Sequence, residues 1–391
     1  MQRCQVMMRV SHVKREKRRF SCIVESGREP SELFFEFSGT EPLTLTNSGN
    51  WIVAALLLSC MKLGQNLAVE QPISPLLLRN LETIQEIYKA WIPGHSVIQL
   101  AAPLQAQSPG RERVGLLFSR GVDSFYSLLK HDSRISDLIV LHGFEFPWDE
   151  DAGFREHLIS VRSVADAFNK RLIVVRTNVK DHLEQYTHWD FSHGAALASA
   201  ALCLEGSISE CIVASTCSYA QLHPWGSHPI LDPLWSTDSL RFLHDGTEAR
   251  RIDKLRVIAD NEWAMKHLRA CDNPSSSGNC GACEKCLRTM VGLHVIGRLA
   301  DCSAMPHRID PRVIRRLHLN EGEATFFREF LSYPIEPPAL RRAIWSALRN
   351  QRYGLRPTSG RVFDIRSRAR RIKDWTRLIG RVFGATGQHN I

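Results

Sequence analysis

The chain has 391 residues, 43% hydrophobic and 23% charged, and a net charge of +9. These are globular values, with enough length for two or three domains with cores of their own. No apolar run reaches the roughly 18 residues of a membrane span, and the basic stretch Met1 to Phe20 lacks the apolar centre of a secretory signal.

Residues 1–105 are expected to form an α+β accessory domain. Lys14-Arg-Glu-Lys-Arg-Arg19 reads as a solvated turn or strand edge. Phe20–Val24 and Glu32–Phe37 alternate as strands, and Trp51–Leu63 is an apolar helix. Ser74 caps a second helix with Pro75 at its first position. Leu77, Leu78, Leu81, Ile84, Tyr88 and Trp91 continue it, and Pro93-Gly94 ends it. No residue here carries obvious chemistry, so the expected role is packing or covering a substrate. Gln105–Gly110 reads as a linker.

A second domain is expected over 111–305. Val114-Gly-Leu-Leu-Phe118 is a buried parallel strand by its apolar run. Ser119-Arg-Gly-Val-Asp-Ser124 breaks the pattern, and Phe125, Leu128 and Leu129 then recur at helical spacing. Strand, tight loop and helix start leave unpaired N–H groups and a positive dipole end aimed at the loop, a site for an anion such as phosphate. Gly121 admits a ligand close to the backbone. Ser119 and Ser124 add hydroxyls, and Asp123 either helps hold Mg²⁺ or sets the loop by local hydrogen bonds. The loop lacks the Gly-x-x-x-x-Gly-Lys pattern of a Walker A sequence.

Further along, Leu138–Leu141, Leu172–Arg176 and Cys211–Thr216 read as strands, and Asp151–Asn169 and His193–Leu204 as helices. Alternation of this kind implies a parallel sheet with right-handed crossovers and a ligand beyond the strands' carboxyl ends. Ser119, His142, Thr177 and Ser215 would lie at that end. His142 either faces an adenine or ribose or is a loop histidine. His193 either donates to a phosphate or packs and caps its helix. Cys217 is either a nucleophile or a buried thiol; no paired base is visible. Pro, Gly and Trp between His223 and Trp235 suit a shaped loop over a site. Arg251, Lys254 and Arg256 either meet phosphates or a carboxylate or form a solvated basic face.

Cys271 precedes Cys280-Gly-Ala-Cys283-Glu-Lys-Cys286, two Cys-x-x-Cys steps and one distant cysteine. Four thiolates with no open position suit a structural tetrahedral Zn²⁺, and an iron–sulfur cluster is the main rival. Lys285 and Arg288 offset the charge of the four sulfurs. Clustered thiols of this kind fit a reducing cytoplasm.

The loop resembles the Ser-Gly-Gly-x-Asp-Ser loop of the PP-loop ATP pyrophosphatases. Ser119, Gly121, the free position Val122, Asp123 and Ser124 match, and Arg120 replaces the first glycine. A PP-loop domain followed by these cysteines, together with His193-Gly-Ala-Ala-Leu-Ala, is similar to the 7-cyano-7-deazaguanine synthase (QueC-like) family over about residues 113–300. The resemblance implies an α/β parallel-sheet PP-loop domain with a Cys₄ zinc module. It implies ATP with Mg²⁺, bound through Phe118, Ser119, Gly121, Val122, Asp123 and Ser124, with His142 and Ser215 nearby. Asp123 and Ser124 would act in the chemistry; Arg120, where the pattern departs, either clamps the leaving pyrophosphate or crowds the phosphates. The implied reaction is adenylation of a small-molecule carboxylate, release of pyrophosphate, and attack by a nitrogen nucleophile. The alternatives are a tRNA-thiolating enzyme, which would need a cysteine pair such as Cys211 and Cys217, and a non-catalytic nucleotide-binding subunit. Oligomers are compatible with all three.

Residues 306–391 are expected as a basic extension in which the alternating pattern is lost and Pro334, Pro337 and Pro338 punctuate the chain. From Arg341 to Arg381 there are twelve arginines and one lysine against Asp364 and Asp374. Ala343–Leu348 and Ile372–Leu378 suit short amphipathic helices. Such a segment suits a nucleic acid, an anionic partner or a membrane surface, or is a solvated tail.

Overall fold

The computed structural model describes residues 7–16, 18–27, 29–106, 112–271, 273 and 278–350. The helix expected at 372–378 and the arginines beyond 350 lie outside the described residues.

Strands β1 (Met7–Glu16), β2 (Arg19–Glu25) and β3 (Ser31–Gly39) form an antiparallel meander. Helix α1 (Asn50–Leu63) is apolar on every side and buried from Asn50 to Met61, as a helix inside a core must be. Gly64, at φ 64°, turns the chain out of it. Strand β4 (Asn66–Ala68), helix α2 (Pro75–Trp91) and strand β5 (Leu100–Ala101) follow. The Ser74 hydroxyl accepts from the Leu77 N–H at 3.2 Å, the cap read from Ser74-Pro75.

The second half alternates strand and helix. β6 (Val114–Leu117), α3 (Val122–Lys130), β7 (Asp137–His142), α4 (Asp151–Ala167) and β8 (Arg171–Thr177) come first. Then come α5 (Val179–Glu184), α6 (Trp189–Leu202), β9 (Glu210–Ala214) and β10 (Arg241–Asp245). Helices α7 (Arg251–Ala259), α8 (Glu262–His267) and α9 (Glu284–Val295) complete the unit.

All ten strands share one mostly parallel sheet, ordered β10-β9-β6-β7-β8-β3-β2-β1-β4-β5. The described residues among 1–105, expected as a unit of their own, join it where β3 pairs antiparallel with β8. They also share a core, because α1 packs on α6 and residues such as Trp51 and Ala198 bury in one cluster. Glu205, just past α6, fastens the halves together. Its buried carboxylate accepts from Thr46 Oγ1 at 2.6 Å, Thr237 Oγ1 and Ser239 Oγ at 3.1 Å, Asn50 Nδ2 and the Ser48 hydroxyl. Without these donors a buried carboxylate would cost several kcal/mol.

Within the sheet, β6 to β7 to β8 proceeds one way, and the chain then returns to lay β9 and β10 on the other side of β6. In parallel α/β sheets a ligand crevice lies at such a reversal, which here falls between the carboxyl ends of β6 and β9.

Of the basic extension expected over 306–391, the structure describes the part up to residue 350, and the helix expected at Ala343–Leu348 lies within a longer helix there, Pro338–Arg349. Helices α10 (Pro311–Arg315), α11 (Glu321–Phe330) and α12 (Pro338–Arg349) form a small helical unit. Phe327, Phe330, Leu340 and Ile344 bury there against Leu287 and Val291 of α9. Pro311 and Pro338 sit at first helical positions, where proline starts a helix. Among the described residues, no helix is long and apolar enough to cross a membrane.

Candidate functional site

The loop Phe118–Gly121 leaves β6 at the crevice, and α3 starts there with Gly121 as its N-cap residue. The first-turn N–H groups of α3 therefore head into the crevice. Gly121 has φ −72°, which any residue adopts. A Cβ built on it meets only Ser119 Oγ at 3.2 Å and the Arg269 carbonyl at 4.0 Å. Neither backbone geometry nor packing thus demands glycine here. Ser119 is exposed, with its Oγ 3.4 Å from the Gly121 nitrogen. The Ser124 hydroxyl donates to the Gly121 carbonyl at 3.1 Å and fixes the loop. Phe118 and Val122 are core residues; Phe118 packs edge-on against Phe125 at 5.1 Å.

Arg120 has φ +62°, the left-handed conformation that favours glycine. The loop therefore keeps a glycine-type turn while carrying an arginine. Its side chain is buried, and burial, with the Arg269 charge, brings the guanidinium down to about 10 against the pull of Glu145. The Arg120 carbonyl accepts from the Arg269 N–H at 2.9 Å. The Arg269 guanidinium meets Glu145 at 2.6 Å and lies 4.4 Å over Phe146.

Asp123 faces two buried cations from α7. Its Oδ2 meets Arg251 Nη1 at 2.9 Å and its Oδ1 meets Lys254 Nζ at 3.0 Å. Lys254 is 1% exposed and also donates to the Ser215 carbonyl, which ties the loop after β9 to the loop after β6. Burial alone would raise the Asp123 carboxyl, but Lys254, Arg251 and Arg288 outweigh it and hold the group below its ordinary value. The carboxylate is the counter-ion of two cations, not a free metal ligand, which argues against Asp123 as a Mg²⁺ holder. Arg251 and Lys254 are buried in the site, while Arg256 is the exposed member of the basic trio and pairs with Asp253.

Arg288 and Thr289 of α9 close the cluster. Thr289 Oγ1 accepts from Arg251 at 3.5 Å, and the Arg288 guanidinium lies 4.4 Å over Phe326 of α11. Glu329 of α11 accepts from the Ile252 N–H at 3.1 Å, so the helical unit after 306 forms one wall. The Cys217 thiol shares this field, yet burial and Asp123 push it up to about 11, so it is a protonated thiol at neutral pH. Cys211 points into the core, with its thiol raised by burial.

Two expected residues serve the scaffold. The His142 ring stacks on Phe154 at 4.0 Å, with Nε2 tied to the Pro147 carbonyl at 2.8 Å, so it pins the β7–α4 loop. His193 Nδ1 donates to the Trp189 carbonyl at 3.0 Å and Nε2 accepts from the Ser227 N–H at 3.1 Å, a neutral ring that holds the 223–235 loop on α6. Gly194 permits that contact; a Cβ there would lie 1.9 Å from the Gly226 carbonyl. The Ser215 hydroxyl donates to the Cys217 carbonyl at 2.7 Å.

The second centre is formed by Cys271, Cys280, Cys283 and Cys286, whose sulfur atoms all lie within 4.8 Å of one another. Cys280 and Cys286 are 4.0 Å apart, and Cys271 and Cys283 are 3.9 Å apart. A tetrahedron with Zn–S bonds of about 2.3 Å has edges of ~3.8 Å. The set therefore fits one metal ion such as zinc, and the sulfurs sit too close together for a multi-iron cluster between them. N–H groups of Ala282, Cys283 and Cys286 point at the sulfurs at 3.3–3.4 Å. Gly281, at φ 70°, makes the turn. Asn279 anchors the module, donating to the Leu268 and Ala304 carbonyls at 2.8 and 2.7 Å.

The two centres are joined. Cys271 lies two residues past Arg269, which holds Arg120, and Cys283 is the N-cap of α9, which carries Arg288 and Thr289. Sequence reasoning missed Arg269, Glu145 and Phe326, since no motif surrounds them. In comparisons with known proteins, no family model, curated protein or solved structure matches this chain.

Proposed function

We propose that the crevice binds the triphosphate of ATP and that the chain activates a small-molecule carboxylate by adenylation. Pyrophosphate is released, and a nitrogen nucleophile then displaces AMP. The observation that carries this reading is the glycine-type loop at the sheet's reversal point, ringed by buried Arg251, Lys254 and Arg288, with Asp123 on the first two and buried Glu284 3.5 Å from Arg288. Three buried cations against the two carboxylates Asp123 and Glu284 leave one net positive charge where the N–H groups of α3 converge, which suits an anion. The resemblance of Ser119–Ser124 to a PP-loop supports the same ligand.

In this reading Ser119 and the α3 N–H groups hold phosphate oxygens. Lys254, Arg251 and Arg288 stabilise the negative charge that builds on the leaving pyrophosphate. Asp123 keeps the two α7 cations in place. Mg²⁺ would be held by the nucleotide's phosphates and water, since Asp123 is already paired. The metal of the cysteine module is one Zn²⁺, which supplies folding energy and no open coordination position. Thiolation of tRNA loses support, because Cys211 and Cys217 are buried protonated thiols.

The test is product analysis with Mg·ATP and candidate carboxylates. AMP with pyrophosphate is expected. ADP as the sole product refutes adenylation, and tight ATP binding without turnover on any acid favours a nucleotide-sensing subunit.

A further inference from the structure

We propose that the outward face of α12 is a binding surface for single-stranded nucleic acid. The inward face of this helix is fully used: Leu340, Ala343, Ile344 and Ala347 are buried in the helical unit's core. The outward face carries Arg342, Trp345 and Arg349 at i, i+3 and i+7, which places them in a row about 10 Å long. Trp345 is 50% exposed, the largest bare aromatic on this unit, and with Arg342, Ser346 and Arg349 it lines a surface cavity. Helix α10 packs alongside, where Asn350 Nδ2 donates to the Arg315 carbonyl at 3.1 Å, and it adds exposed Arg315 and Arg316. Neither helix contains an acidic residue. The sequence that follows, 350–381, has nine arginines and one lysine against two aspartates.

A surface of one sign asks for a polyanion, and a bare indole between two guanidinium groups asks for a flat partner to stack on it. Unstacked bases on a phosphate chain supply both. A duplex hides its base faces, so the strand is single. A membrane would need a continuous exposed apolar stripe, and the apolar stripe of α12 is the one buried in the core.

The test uses the full chain and a labelled 20-nucleotide strand of mixed sequence, as RNA and as DNA, followed by fluorescence anisotropy over a salt series without nucleotide. The result is therefore independent of the crevice's chemistry. Binding of either strand is expected. Trp345→Ala should weaken it roughly 5- to 150-fold, and Trp345→Phe should retain most of it. The double variant Arg342→Gln with Arg349→Gln should reduce the slope of log affinity against log salt by about 1.4. Thermal unfolding of each variant should match the parent. The arginines after 350 are present in every variant, so undiminished binding by Trp345→Ala would show that charge alone is at work and overturn the proposal. Failure of both strands to bind, or binding to phosphatidylserine vesicles in their place, would overturn it equally.

Discussion

Removing the Asp123 carboxylate tests the electrostatic design of the crevice. In Asp123→Ala, Arg251 and Lys254, only 4% and 1% exposed, lose their shared counter-ion. Breaking a buried pair by deleting one partner costs about 3–5 kcal/mol. For a chain of 391 residues the unfolding entropy is about 0.8 kcal/mol/K, so the melting temperature should fall by about 4–6 °C. Pyrophosphate is expected to rescue the variant, because an anion can take the carboxylate's place between the cations. At 100 times its dissociation constant a ligand adds about 2.7 kcal/mol, or ~3 °C on the same scale, and the shift should exceed that of the parent at equal concentration. The pH dependence has a defined sign. Asp123 is held below its ordinary value of 3.8, so its contribution is present above about pH 4 and is lost as pH falls through the lower native value. Asp123→Asn should lack that component of acid sensitivity. The assay is differential scanning fluorimetry with and without pyrophosphate between pH 3 and 7. An Asp123→Ala protein that melts within ~1 °C of the parent, or gains no more from pyrophosphate than the parent does, would refute the reasoning.

Gly121→Ala should leave the melting temperature unchanged, since a Cβ meets only the movable Ser119 hydroxyl within 3.4 Å, yet should lower AMP formation by roughly tenfold or more; equal activity would show that no ligand approaches this backbone. Arg120→Gly should be more stable than Arg120→Ala by about 1 kcal/mol, because both delete the side chain and only glycine relieves φ +62°; chemical denaturation with Ala equal to or above Gly contradicts this. Cys286→Ser should abolish the one zinc per chain expected from metal analysis of the parent and lower the unfolding temperature; iron with sulfide in the parent would overturn the zinc assignment.

Much of the α/β half was legible because its strands are short apolar runs bounded by turns. The expected strands at 114, 138, 172 and 211 correspond to β6, β7, β8 and β9. Strand β10 was missed; Arg241-Phe-Leu-His-Asp245 is an edge strand with only two buried residues, so its pattern is weak. Strand β1 was hidden by its basic residues, which point outward from an irregular pairing between Ser11 and Lys14. Of the prolines read as punctuation, Pro334, Pro337 and Pro338, the last begins α12. The join between halves could not be read at all: β3 meets β8, and Thr46 and Ser48 meet Glu205, across more than a hundred residues of chain.

The candidate site divides along the same line between local and long-range. The loop and the cysteine spacing are local patterns, so sequence exposed them directly. Arg251 and Lys254 were ambiguous between ligand contacts and a solvated face, because Ile252, Leu255 and Ile258 mark the helix's buried side without fixing whether the basic residues beside it are covered. Packing of α7 against α3 decides it, burying both cations on Asp123, 128 and 131 residues away. Arg288 was read as balancing the thiolates, but its helix starts at ligand Cys283 and carries the guanidinium on to Phe326 and the field of Asp123. A metal that holds Cys283 thus also sets the start of α9 and the reach of Arg288 and Thr289. With a metal bound, the cysteines would act on the crevice mechanically: on its removal the loop N–H groups of α3 remain, while Arg288 of α9 and the Arg269 tether on Arg120 would lose their anchor. Anion binding should weaken on metal removal while α7 still supplies two of its cations.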